Sequence, residues 1–282
     1  MELLQILLTL FIVVLFLLVI AVHIFVGLNR ILEIRGEIRE RAVTALPFLA
    51  LLGVVLAFNS RFRSVFHDFS WLLGIEITHL IVNVEGYSVA YFQDFGGTEL
   101  NAFFSFMYVF GYVFLLVFPL IAYFVLERMD MFKSLTIAYT LNYGIGIICY
   151  IIFIAYGPRN RIPELVEEPL YLYYPQYQLL TSEINEYTNV FPSLHTSLAA
   201  TVMFFAWKTR ETYRGWMPLA MFIGTSVIIS TMYLAIHWMV DVAAGIVLAW
   251  ISYYLGIRFV KDSLLAQVNF HKQLVNRFRS GR

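Results

Sequence analysis

Two histidines stand at the ends of apolar runs, His195 in NVFPSLHTSLAA and His237 in MYLAIHWMVDVAAG. Asp241 follows His237 by four residues. If one helix carries both, the two side chains share a face. The carboxylate can then hold one imidazole nitrogen, fixing the tautomer and making the other nitrogen a better nucleophile. Arg159 and Arg161, in YGPRNRIP, offer planar forks that suit phosphate oxygens. A helix start is predicted at Pro192-Ser193, with Asn189, Ser193 and Thr196 around it, and backbone N–H groups at such a start favour an anion. These residue types predict phosphoryl transfer. One imidazole attacks phosphorus and holds it as a phosphohistidine, while a second protonates the departing oxygen. The arginines and the helix-end N–H groups balance charge on the phosphate oxygens. Water or a second alcohol then collects the group. No metal or cofactor is needed for these steps. Two histidines and an aspartate also fit a metal site, and each polar group alone fits an interfacial anchor. Their joint placement at one depth favours the shared site. His23, His67, His79 and His271 have no such context and read as structural.

The elements that position these residues are membrane spans. Of the 282 residues, 60% are hydrophobic and 13% charged, against about 25% charged in soluble domains. Lys plus Arg equal Asp plus Glu at 19 each. That balance excludes the basic footprint of a nucleic-acid binder. A lone cysteine, Cys149, excludes a disulfide framework and cysteine zinc sites. A span needs roughly 20 apolar residues. Seven segments are read as spans, at about 3–28, 42–58, 101–126, 133–156, 193–207, 217–236 and 240–260. The second and fifth are short and are expected to extend into their flanks. The expected fold is an all-α polytopic transmembrane bundle. Region 1–100 would hold the N-terminal spans and outer interfacial helices, 101–260 the catalytic core, and 261–282 a basic tail. Segment 59–100, with Glu76, His79 and Asn83, is expected to form the interfacial helices. The long connection 157–192, rich in tyrosine, reads as either a headgroup-layer anchor or a lid.

The basic residues alternate with the spans. Arg30, Arg35, Arg39, Arg41, Arg128, Lys133, Lys208, Arg210, Arg214, Arg258, Lys261, Lys272, Arg277, Arg279 and Arg282 fall on one side. Only Arg61, Arg63, Arg159 and Arg161 fall on the other. Positive-inside reasoning puts the first group in the cytoplasm and the N-terminus outside. It places both catalytic histidines and both loop arginines on the outer rim, and the C-terminus inside.

The motifs carry a family resemblance. P-S-L-H-T-S at 192–197 resembles the P-S-G-H motif of the type 2 phosphatidic acid phosphatase (PAP2) superfamily. S-T-M-Y-L-A-I-H-W-M-V-D at 230–241 resembles its motif S-R, five residues, H, three residues, D. The resemblance covers roughly 101–255 and implies a six-helix core with the site between helices at one membrane face. It implies His237 as nucleophile, Asp241 as its orienting partner, His195 as general acid and Ser193 as a phosphate ligand. The usual K, six residues, R-P motif is absent, Thr231 stands where an arginine is usual, and Leu194 replaces the glycine. These departures are similar to the inositol phosphorylceramide synthase, or aureobasidin-resistance, branch, which moves a phosphoinositol headgroup between lipids. A membrane lipid phosphate or phosphodiester is therefore the expected substrate, with water, a second lipid or a polyol as acceptor. A phosphatase for polyprenyl pyrophosphate or phosphatidate is the alternative within the superfamily. A transporter or a non-catalytic membrane scaffold is the alternative outside it.

Overall fold

A computed structural model of the chain describes residues 3–174, 176–178 and 188–280. Residues 179–187 of the long connection lie outside the described residues. So do the side chains at 62–64, 66, 67 and 173 and those from 264 onward, which include Arg63, His67 and His271. Helices dominate, and six are long and apolar enough to cross a membrane, as expected of a polytopic bundle. Helix α1 (Leu3–Ala21) runs on through a π turn at Val22–Val26. Helix α2 (Leu28–Glu33) leads to α3 (Ile38–Leu73). After α4 (Thr78–Glu85), helix α5 (Thr98–Phe106), a π turn at Met107–Gly111 and α6 (Tyr112–Phe124) make one continuous span. Then come α7 (Asp130–Ile152), the short α8 (Pro158–Arg161) and α9 (Pro169–Tyr173), and α10 (Leu194–Lys208). Helices α11 (Trp216–Tyr233) and α12 (Met239–Ser280) close the bundle.

Three expectations change. The fifth segment, read as a span, forms α10 with only 15 residues, about 22 Å long against a hydrocarbon core of about 30 Å. It does not extend into its flanks. It packs against α7, α11 and α12, and seven of its first ten residues are buried. Its start is tied to Asp241 at one end of the bundle, and Thr209, just past its last residue, meets Tyr123 at the Arg41 end, so the short helix still runs from one end of the bundle to the other. Six helices have the length expected of a span, and α10 is the shorter seventh segment. Second, residues 59–73 do not form a helix of their own; they prolong α3, which is 36 residues long. The short helical pieces of this region are α4 and the 3-10 turn at Ser88–Phe92. Third, the basic tail continues the last span: α12 runs through it to Ser280.

The two ends of the bundle are built differently. At one end Arg41, only 8% exposed, donates to the carbonyls of Phe124 and Leu126 and pairs with Glu37. A cation there satisfies the orphan carbonyls at the end of α6. At the other end, β1 (Ile75–Glu76) and β2 (Phe153–Ile154) pair in parallel. Tyr156 N–H donates to Thr78 Oγ1 at 3.0 Å, and Ala155 N–H to the Thr188 carbonyl at 3.2 Å. Trp238, fully buried, donates its indole N–H to the Tyr156 carbonyl at 2.7 Å. These bonds tie α3–α4, the end of α7, the start of α10 and the α11–α12 turn into one rim. Between the ends the core is aromatic, with Phe118 and Trp216 rings 4.5 Å apart.

Candidate active site

The predicted site residues come from chain ends that this rim holds together. Helix α11 ends at Tyr233 and α12 begins at Met239, so His237 lies in the turn between two spans. One helix does not carry both His237 and Asp241, contrary to the spacing argument. Their contact has another origin. The N–H groups of Ile236 and His237 both donate to the Thr231 carbonyl at 3.0 Å. Ala235 adopts φ 53°, a left-handed conformation that an L side chain disfavours. That fold turns His237 back over the first turn of α12. Asp241 Oδ2 accepts the Trp238 N–H at 2.8 Å, a carboxylate serving the residue before its own helix. The same oxygen lies 3.5 Å from His237 Nδ1. Asp241 is fully buried and His237 is 4% exposed. Among the described residues, neither His237 Nδ1 nor Asp241 Oδ1 has a hydrogen-bond partner.

The His237 ring also donates to the Val190 backbone carbonyl and lies in the field of Arg159. Burial pushes its imidazole down to about 3; Val190 opposes the shift and Arg159 adds to it. The ring is therefore neutral at pH 7. Helix α8 brings Arg159 here. Arg159 N–H donates to the Ala235 carbonyl at 3.0 Å, and its guanidinium lies 4.9 Å over the Tyr171 ring of α9. Gly157 permits this approach, because a Cβ there would sit 2.4 Å from the Ile236 carbonyl oxygen. Arg161 ends the same helix exposed, and none of its contacts reaches the histidines among the described residues.

His195 sits in the first turn of α10, close enough to His237 to interact electrostatically. Its ring stacks on Tyr108 at 4.5 Å and 18° and meets the Tyr112 ring at 4.3 Å, tilted by 35°. Ser193 is the N-cap of α10: its Oγ accepts the Thr196 N–H at 3.3 Å. Its own N–H donates to the Asp241 carbonyl at 3.1 Å. Ser193 thus joins the start of α10 to the first turn of α12. Gly245 lets the two helices close, since a Cβ there would be 2.6 Å from the Ser193 carbonyl oxygen. Thr196 Oγ1 is buried without a partner beside this cap. Thr231 is turned away, its hydroxyl donating to the Ile228 carbonyl at 2.7 Å. It does not stand in for the arginine usual at that place.

Sequence reasoning missed several residues here. Glu85, at the end of α4, accepts the N–H groups of Met239 and Val240 at 3.1 and 2.8 Å. Together with Asp241 it occupies the first N–H donors of α12, so that helix start has no room for a phosphate. Tyr150 of α7 donates to the Pro192 carbonyl at 3.2 Å and braces the turn into α10. Asn142 bonds Thr201 at 3.1 Å and Ser197, locking α7 to α10. No periodicity or short spacing links these residues to the histidines, so only the fold could reveal them. Among the described residues, no group of three or more His, Cys, Asp or Glu side chains is placed to hold a metal ion.

Residues 78–255 match the family model described as the PAP2 superfamily. The match covers more than half of the chain, and the chain belongs to that superfamily of membrane phosphatases and phosphotransferases. It begins at Thr78, the first residue of α4, so the Glu85 cap lies inside the matched region. No curated protein and no solved structure matched the chain.

Proposed function

We propose that the protein transfers a phosphorylated lipid headgroup through a phosphohistidine on His237, at the extracytoplasmic face of the membrane. The carrying observation is the buried His237–Asp241 pair, 3.5 Å apart, with His195 and Arg159 interacting with His237. A neutral imidazole has the lone pair that attack requires. With its proton on Nδ1, facing Asp241, the ring presents its other nitrogen to phosphorus once that nitrogen leaves the Val190 carbonyl. The new P–N bond forms as the bond to the leaving oxygen breaks, and His195 donates a proton to that oxygen. In the second step His195 takes the proton of the incoming hydroxyl, that oxygen bonds to phosphorus, and the P–N bond breaks. Arg159 and the Ser193-capped start of α10 carry the charge of the phosphate oxygens. Arg161 is the weaker ligand of the two arginines, being exposed.

A headgroup transfer from a phosphodiester lipid, as in the inositol phosphorylceramide synthase branch, is favoured over hydrolysis of a monoester. Thr231 supplies no charge, and a diester monoanion needs fewer cations than a monoester dianion. The orientation rests on the distribution of basic residues, which puts the Arg41 end of the bundle in the cytoplasm. Purified protein given a headgroup-labelled phosphoinositol lipid, with and without an acceptor lipid, tests the reading. Label moving to the acceptor supports transfer; release of free headgroup phosphate alone, whatever the acceptor, makes the protein a phosphatase. Turnover that persists unchanged in His237→Ala removes the nucleophile from the scheme.

A further inference from the structure

A general acid must carry its proton before the leaving group departs, and for a buried imidazole this demands a local source of stabilisation. A carboxylate is the usual source. Among the described residues no carboxylate lies within ion-pair distance of His195; Asp241 faces His237 and the Trp238 N–H instead. His195 is faced by His237, whose own charge would repel a proton there. What encloses its ring is aromatic. The Tyr108 and Tyr112 rings lie 4.5 and 4.3 Å from the imidazole, both within 35° of parallel. One face of a five-membered ring has no room for two six-membered rings at these distances, so the tyrosines take opposite faces. The faces of aromatic rings are electron-rich and attract a cation, more so when water is excluded.

Their placement follows from the π turn at Met107–Gly111. Tyr108 lies within it and Tyr112 opens the next helical segment. The wider turn re-aims side chains that a regular helix would place elsewhere, and such turns concentrate at functional sites. Tyr108 is 4% exposed. The Tyr112 hydroxyl is hydrogen-bonded to Tyr143 of α7. Neither ring can swing away without breaking packing in the core. Tyr150, from the same helix as Tyr143, donates to the Pro192 carbonyl and braces the turn that leads to His195.

We infer that Tyr108 and Tyr112 are positioning residues that clamp His195 between two π faces and favour its imidazolium form for protonation of the leaving group. The inference rests on the proposed role of His195 as acid. Its test uses full-length protein in detergent with two substrates, one with a poor alkoxide leaving group and one with a nitrophenolate that needs no proton. Tyr108→Phe and Tyr112→Phe keep the π faces and should stay within about threefold of wild type on both. Tyr108→Leu and Tyr112→Leu keep bulk without the face. They should lose about tenfold or more in kcat on the alkoxide substrate only. The alkaline limb of their rate profile should move down by about one pH unit. Equal losses on both substrates, or an unmoved alkaline limb, would show that the rings only pack. Pentafluorophenylalanine at 112, similar in size with its ring polarity reversed, gives the same comparison if the leucine variant does not fold. His195→Ala separates the two ideas. If it fails to discriminate between the leaving groups, the acid role itself is wrong. If it discriminates and the leucine variants do not, only the clamp is wrong.

Discussion

Glu85 Oε2 accepts the Val240 N–H at 2.8 Å, and its other oxygen accepts that of Met239 at 3.1 Å. A carboxylate from α4 thereby caps the helix that carries Asp241, more than 150 positions further along the chain. A helix beginning directly after a functional loop has few ways to satisfy its first N–H groups, and here two carboxylates do so.

The cap predicts a specific defect. Glu85→Ala leaves two N–H groups without partners and should cost about 1–2 kcal/mol. Glu85→Gln keeps one acceptor and should cost less. Thermal unfolding in detergent reads the difference, and turnover should fall in the same order because the first turn of α12 loosens under Asp241. Unfolding of Glu85→Ala at the wild-type temperature would show that α12 does not depend on the cap.

Asp241→Asn separates structure from chemistry. The asparagine carbonyl can still accept the Trp238 N–H, so the turn should survive. The neutral amide cannot stabilise the ring as it gains charge, and kcat should fall by about 100-fold or more. Circular dichroism and kcat measured on one preparation check both halves. A variant that keeps full turnover would leave Asp241 with only its capping role.

Acid should destabilise the protein through His237. Its folded value, about 3, lies below its ordinary 6.5. The unfolded chain therefore takes up the proton first, and stability falls as pH drops from 6.5 towards 3. Above 6.5 the ring is neutral in both states and contributes no pH dependence. His237→Asn removes this term, so its melting temperature should fall less between pH 7.5 and 5 than that of wild type. Parallel falls would mean that the ring is not held neutral.

Gly245 faces the carbonyl of Ser193 so closely that a methyl group has no place. Gly245→Ala should push α10 and α12 apart at the site and cost about 1–3 kcal/mol. Activity should suffer more than expression, since the strain falls at the Ser193 cap. Retained activity with an unchanged melting temperature would show that the helices meet less closely than this.

Much of the frame was legible because membrane spans announce themselves. Runs such as LLQILLTLFIVVLFLLVIAV have few alternatives to a helix in lipid, and P-S-L-H with H-x-x-x-D marked residues that the fold brings together. Two kinds of feature resisted. The length of α10 could not be judged, because apolar composition does not say whether protein or lipid will surround a segment. The His237–Asp241 contact was foreseen for a reason the fold corrects: the pair meets across a turn closed by Thr231, not along one helix. Glu85, Tyr108 and Tyr112 reach the site from other elements, and long-range contacts of that kind leave no spacing to read. Arg159 and Arg161 looked equivalent in YGPRNRIP; only the bond from Arg159 to Ala235 sets them apart.

The central claim is that phosphorus passes through His237, and rapid quench measures this directly. Protein mixed with a phosphorus-labelled lipid substrate and quenched in alkali should hold label in a bond that is stable to base and lost in acid, as expected of a phosphohistidine. Peptide mapping should place it on His237, with slower formation in His195→Ala and none in His237→Ala. Label that survives acid, or that remains in His237→Ala, would contradict the account.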